Sequence, residues 1–157
     1  MLQETYTKLL EKFTDDPELI SNLWNEIATH YSGEKRHYHT LSHLENLLQQ
    51  LIPVKEQIEN WDVILFTLYY HDVVYDALKP DNEEQSAELA AQRMEQLNIP
   101  VQLIGKCKDQ ILATKTHVKS PDSDTNYFTD ADLAILGQDA ESYRTYSKNV
   151  RLEYAYY

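Results

Sequence analysis

The segment Val63-Ile64-Leu65-Phe66-Thr67-Leu68, which runs straight into Tyr69-Tyr70-His71-Asp72, limits the folds open to this chain more than any other. A helix this apolar on every side expects to be surrounded by other elements. A carboxylate buried at its end costs several kcal/mol unless it is paired or bound to a metal. The chain must therefore wrap a central helix and also account for a His-Asp pair at its end. A divalent cation is the economical explanation of that pair.

The wrapping material is helical. Only three glycines and five prolines are scattered along 157 residues, while Leu, Glu, Gln, Lys and Ala, all good helix formers, are abundant. That length suits one domain with a single core. The expectation is an all-α, single-domain bundle of about seven or eight helices. Asp16-Pro17-Glu18 reads as a helix start, with a capping Asp, Pro in the first turn and an acid near the positive helix end. Thr40 reads as the cap of LSHLENLLQQL, and Asp62 as the cap of the apolar helix, which is expected to run through Tyr75. Glu83 to Leu97 and Val101 to Thr116 read as two more helices, and Asn82 reads as a cap or as a group that orients ligands. Val118 to Tyr127 reads as the longest loop, with a short helix from Phe128 to Gly137 behind it. A last helix from Asp139 carries no stop signal up to residue 157, so a further C-terminal helical segment is expected.

The net charge of −12 repels phosphate backbones and argues against nucleic acid as a partner. No apolar run approaches the roughly 18 residues needed to span a bilayer, and the N-terminus lacks a signal-peptide core. Cys107 is the one cysteine, which fits a reducing compartment; a cytoplasmic location is expected.

Five of the six histidines fall at expected helix edges: His37, His39, His43, His71 and His117. His39 and His43 are four apart, which on a helix would put them on one face. Asp76 would lie one turn beyond Asp72 on the same helix. Asp130-Ala131-Asp132 offers two carboxylates, which also read as N-terminal helix acids. Two neutral imidazoles with two carboxylates suit Mn, Fe, Ni, Co, Zn or Mg rather than copper. A site of that kind activates water and polarises a phosphoryl oxygen.

Taken in order, RHYHTLSHL (36–44), YHDVVYD (70–76), DNEEQSA (81–87), ILATKTH (111–117) and DADLAILG (130–137) resemble the HD superfamily of metal-dependent phosphohydrolases. The match is with a small, largely uncharacterised bacterial subgroup and covers residues 31–154. The resemblance implies an HD-type helical domain and a metal held by His39, His71, Asp72 and Asp132. Within it, His39 is preferred to His43 and Asp132 to Asp130, with His43 and His117 available for a second ion. It implies hydrolysis of a small phosphate ester, nucleotide-like in the first instance. Asp72 and Asp76 would assist catalysis, and Arg36 and Lys115, which flank ligand positions, would hold phosphate. Tyr75 stands where HD enzymes acting on guanosine polyphosphates carry Glu, which argues against that substrate. Two other functions are open: a di-iron oxygenase of the HD type using six ligands, and a non-enzymatic metal or nucleotide sensor. The tyrosines at 143, 146, 154, 156 and 157 read as core and boundary residues of the last helix, or else as a homo-oligomer interface.

Overall fold

In the computed structural model, residues 1–155 are described. They form eight α-helices: α1 (Leu2–Leu10), α2 (Pro17–His30), α3 (Leu41–Leu51), α4 (Trp61–Tyr70), α5 (Asn82–Gln96), α6 (Val101–Ala113), α7 (Ser123–Asp132) and α8 (Ala140–Tyr154). Short 3-10 turns cover Ile52–Gln57 and Ala134–Gly137. No strand occurs among the described residues, so the expected all-α bundle is what forms. None of these helices is long and apolar enough to cross a membrane.

The apolar run becomes the axis of the bundle. Every residue of α4 from Val63 to Tyr70 is buried, and α1, α3, α5, α6 and α7 all pack on it. Fully burying each large apolar side chain contributes roughly 1.5–3 kcal/mol, so α4 alone anchors much of the core. Its tyrosines keep their hydroxyls satisfied inside that core. Tyr70 shares a 2.8 Å hydrogen bond with the Tyr6 hydroxyl, and the Tyr69 hydroxyl donates to the Leu2 carbonyl at 2.8 Å. The α5 helix approaches closely because it buries a small-residue face of Ser86, Ala87, Ala90 and Ala91.

Several starts and stops differ from the sequence reading. Asp16 caps α2 as expected, accepting from the amides of Glu18 and Leu19. Thr40 occupies the capping position of α3 but makes no side-chain cap bond. Asn60, not Asp62, caps α4 by accepting from the Val63 amide; Asp62 instead pairs with Lys12 at 2.6 Å. The α4 helix stops at Tyr70, not Tyr75, so Asp76 is not one helical turn beyond Asp72. The segment read as the longest loop contains the first half of α7, which Asp122 caps by accepting from the Thr125 amide. Asp130 and Asp132 accordingly close this helix rather than open one. Asn82 is the first residue of α5 and no cap: its carboxamide accepts from the Asp76 amide and donates to the Asp76 and Lys79 carbonyls, closing the loop behind it. Of the tyrosines in the last helix, Tyr146 is half-buried while Tyr143 and Tyr154 are exposed; Tyr156 and Tyr157 lie outside the described residues.

Candidate metal centre

Three separate stretches of chain meet at the end of α4. His71 is the residue that terminates this helix, in right-handed helical conformation, and its ring is fully enclosed. Its Nδ1 lies 2.9 Å from the Leu68 carbonyl. A carbonyl can only accept, so Nδ1 carries the hydrogen, and a neutral ring presents its Nε2 lone pair to the interior. His43 enters from the first turn of α3 and is also buried, with Nε2 3.2 Å from Nε2 of His71. Asp132 enters from the last residue of α7. Its Oδ1 lies 3.4 Å from His43 Nε2 and 3.6 Å from His71 Nε2.

Asp72 adds a second carboxylate, its Oδ2 3.0 Å from His71 Nε2 and 3.7 Å from His43 Nε2. Asp72 and Asp132 keep side-chain exposures of 19% and 14%, enough for a small ligand to reach the oxygens. An ion bonded at about 2.1 Å holds neighbouring ligand atoms about 3.0 Å apart in octahedral and about 3.4 Å apart in tetrahedral coordination. Three donor separations here, 3.0, 3.2 and 3.4 Å, fall in that range, and the other two, 3.6 and 3.7 Å, lie just beyond it. His43, His71 and Asp132 thus lie close enough to hold a metal ion.

The electrostatics agree. Burial disfavours charge on both aspartates, but the imidazole hydrogen bonds and the field of His71 win and hold both well below the usual carboxylate range. Burial likewise opposes charge on His71, yet the adjoining Asp72 and Asp132 raise its pKa well above normal. An imidazolium here supplies the positive charge that a divalent ion brings when bound, and binding the ion releases that proton.

The remaining sequence candidates fall into place around this cluster. His39 lies just ahead of α3 with Nε2 3.9 Å from Asp72 Oδ2, so His43 sits deeper in the cluster than the preferred His39. His117 donates from Nε2 to Asp132 Oδ2 at 2.8 Å, which turns Oδ1 toward His43 and His71. Its backbone has φ of 51°, a left-handed conformation that is uncommon outside glycine and concentrates at functional sites. Asp130 is exposed. Asp76 lines a neighbouring pocket with Arg36 and Glu153, and its Oδ1 accepts from the Leu78 amide. Arg36 donates to three backbone carbonyls, those of His39, Asp72 and Val73, at 2.8 to 3.0 Å. Lys115 lies at the surface, bonded to Glu84 and the Pro80 carbonyl. Both cations expected to hold phosphate are thus engaged elsewhere.

Glu153 is the residue that the sequence reading missed. It is the buried side chain of α8, and its Oε1 accepts from the amides of His37, Tyr38 and His39 at 2.8 to 2.9 Å. Its Oε2 takes the Nδ1 hydrogen of His39 at 2.7 Å. Burial pushes its pKa up, but His39 and the three amides overcome this and bring it to about 2. A carboxylate behind an imidazole fixes its tautomer and aim, which is the usual support of a metal-binding histidine. The available signal was periodicity: Glu153 falls on the face of α8 that carries Tyr146 and Val150. With His39 as a further ligand, Glu153→Gln should weaken metal affinity about 10- to 100-fold, read by competition with a chelator, while far-ultraviolet circular dichroism stays unchanged; an unchanged affinity would place His39 outside the ligand set.

No protein-family model, no curated protein and no solved structure matches this chain.

Proposed function

We propose that this protein is a metal-dependent phosphohydrolase acting on a small phosphate ester. The observation that carries the reading is the convergence of His43, His71 and Asp132, with Asp72 beside them, at one partly open point. The order of the HD-like segments along the chain agrees with it. Bound there, a divalent ion supplies Lewis-acid charge and water of lowered pKa. The chain's own part is to hold four donors at fixed separations and to handle protons beside them. Asp72 and Asp132 offset the ion's charge. His117, hydrogen-bonded to Asp132 at the cleft wall, is placed to hold or pass a proton at Nε2. Tyr38 packs its ring on both His39 and His43 and keeps them from turning away.

The test is metal analysis of the purified protein, then hydrolysis of phosphate monoesters and diesters with each of Mn, Fe, Ni, Co, Zn and Mg. About one ion per chain and turnover that disappears in Asp132→Ala and Asp72→Ala are expected. Retention of both metal and turnover in those variants would refute the proposal. One observation favours a second reading: His39 and His117 stand beside the four inner donors, giving the six ligands that an oxygen-using di-iron centre needs. Two irons per chain with a mixed-valent signal would decide for it.

A further inference from the structure

Apart from its imidazoles, the space around the cluster carries almost no positive charge. A cleft of about 200 Å³ opens on His39, Asp72, His117 and Asp132, and a cavity of about 290 Å³ opens on His43 and Asp132 from the other side of Tyr38. Among the described residues, neither is lined by a lysine or an arginine. Glu83 adds a further carboxylate to the cleft wall. The basic side chains adjoining the cluster are committed, Arg36 to backbone carbonyls and Lys115 to Glu84. A divalent ion with Asp72 and Asp132 sums to zero, so every added phosphoryl group brings negative charge that no lysine or arginine lining these two spaces offsets.

Beside these polar groups the same cleft carries aromatic and apolar side chains. Tyr75 lies against the His39 ring at 4.2 Å between centroids, and Tyr146 meets Tyr38 edge-on at 4.7 Å. Leu133 and Leu136 stand exposed at its rim. Its volume is below the roughly 300–1,000 Å³ of sites that take drug-sized ligands, which favours a small occupant.

Resting on the phosphohydrolase reading, we infer that the substrate is an ester with a single phosphoryl group and a flat aromatic ring on its alcohol, not a di- or triphosphate. In the monoester case water adds to phosphorus, the phosphorus–oxygen ester bond breaks, and the alcohol leaves with a proton as inorganic phosphate forms. The ring packs against the aromatic lining of the cleft, to which Tyr75 and Tyr146 belong, and covers the leucine rim.

Benzyl phosphate and ethyl phosphate have leaving alcohols of similar acidity, so their comparison isolates the ring. The metal-loaded protein should show kcat/KM at least about tenfold higher for benzyl than for ethyl phosphate. ATP should be the poorest of the three. Calorimetry should show the same order for the inert benzylphosphonate and ethylphosphonate. Leu136→Lys, which places a cation on the exposed rim, should raise ATP turnover relative to benzyl phosphate. Equal rates for benzyl and ethyl phosphate, equal affinities for the two phosphonates, or preference for ATP would overturn the inference while leaving a phosphohydrolase. Absence of metal, or turnover that survives Asp132→Ala, would instead remove the reading beneath it.

Discussion

His71→Ala protein should come off a metal-loading column with less than about a tenth of the wild-type metal content, an affinity loss of at least about 100-fold. The imidazole is the hinge of the donor set, lying 3.2 Å from His43, 3.6 Å from Asp132 and 3.0 Å from Asp72. No neighbouring side chain can replace it, because its own Nδ1 is tied to the end of α4. The metal-free variant should also be less stable. Without His71 the buried Asp72 loses its closest positive partner and Asp132 loses one of the three imidazoles around it, and breaking a buried charge pair costs roughly 3–5 kcal/mol. For a chain of this size that lowers Tm by about 10 °C. Elemental analysis and thermal unfolding on the same sample separate the two readings of this residue. A histidine that merely fills the core would lower Tm and leave the metal content alone.

The second large effect belongs to Arg36, where two roles make opposite predictions. Its guanidinium joins the backbone of residue 39 to that of residues 72 and 73 through three bonds. It also lies over the rings of Tyr31 and Tyr75. Charge-assisted bonds are each worth about 1.5–3 kcal/mol, so Arg36→Ala should destabilise by about 3–5 kcal/mol. Lysine cannot restore the fork that reaches two separate strands of backbone, so Arg36→Lys should recover less than half of that. A phosphate-holding Arg36 would behave in reverse: stability intact, KM raised, and lysine an adequate substitute. Urea unfolding of the two variants beside wild type decides between them.

The legible parts of this fold were those written in local chemistry. Asp16-Pro17 announced α2, and the apolar run announced a buried α4, because caps and burial patterns act over a few residues. The end of α4 was illegible for the opposite reason. Val73, Val74 and Tyr75 continue an apolar pattern, yet their backbone bonds go to distant groups. The Val73 carbonyl accepts from Arg36, and Val74 exchanges both of its backbone bonds with the Ser86 hydroxyl. The start of α7 hid inside a polar stretch that resembles a loop. What holds it is long-range: Asp124, fully buried, accepts from the amides of Glu59 and Asn60, and Phe128 enters the core.

The candidate site divides the same way. His71, Asp72, Asp132, His39, His43 and His117 were all visible as residue types in sequence order, and the structure brings them together. Their ranking was not visible, since which of His39 and His43 lies deeper depends on how the loop ahead of α3 is folded. The partners of the two cations were not visible, because a basic residue next to a ligand in sequence says nothing about which carbonyls or acids will claim it. Lys115 is claimed by Glu84, 31 positions earlier in the chain.

That loop ahead of α3 has a consequence for how the molecule is made. Its three amides and the His39 ring are gathered by one carboxylate that follows 114 positions later. During synthesis every donor of the cluster emerges before Glu153 does. A growing chain therefore leaves the His39 loop unfastened until α8 docks. Any cut that frees α8 returns His39 to the loosely held state of the nascent chain.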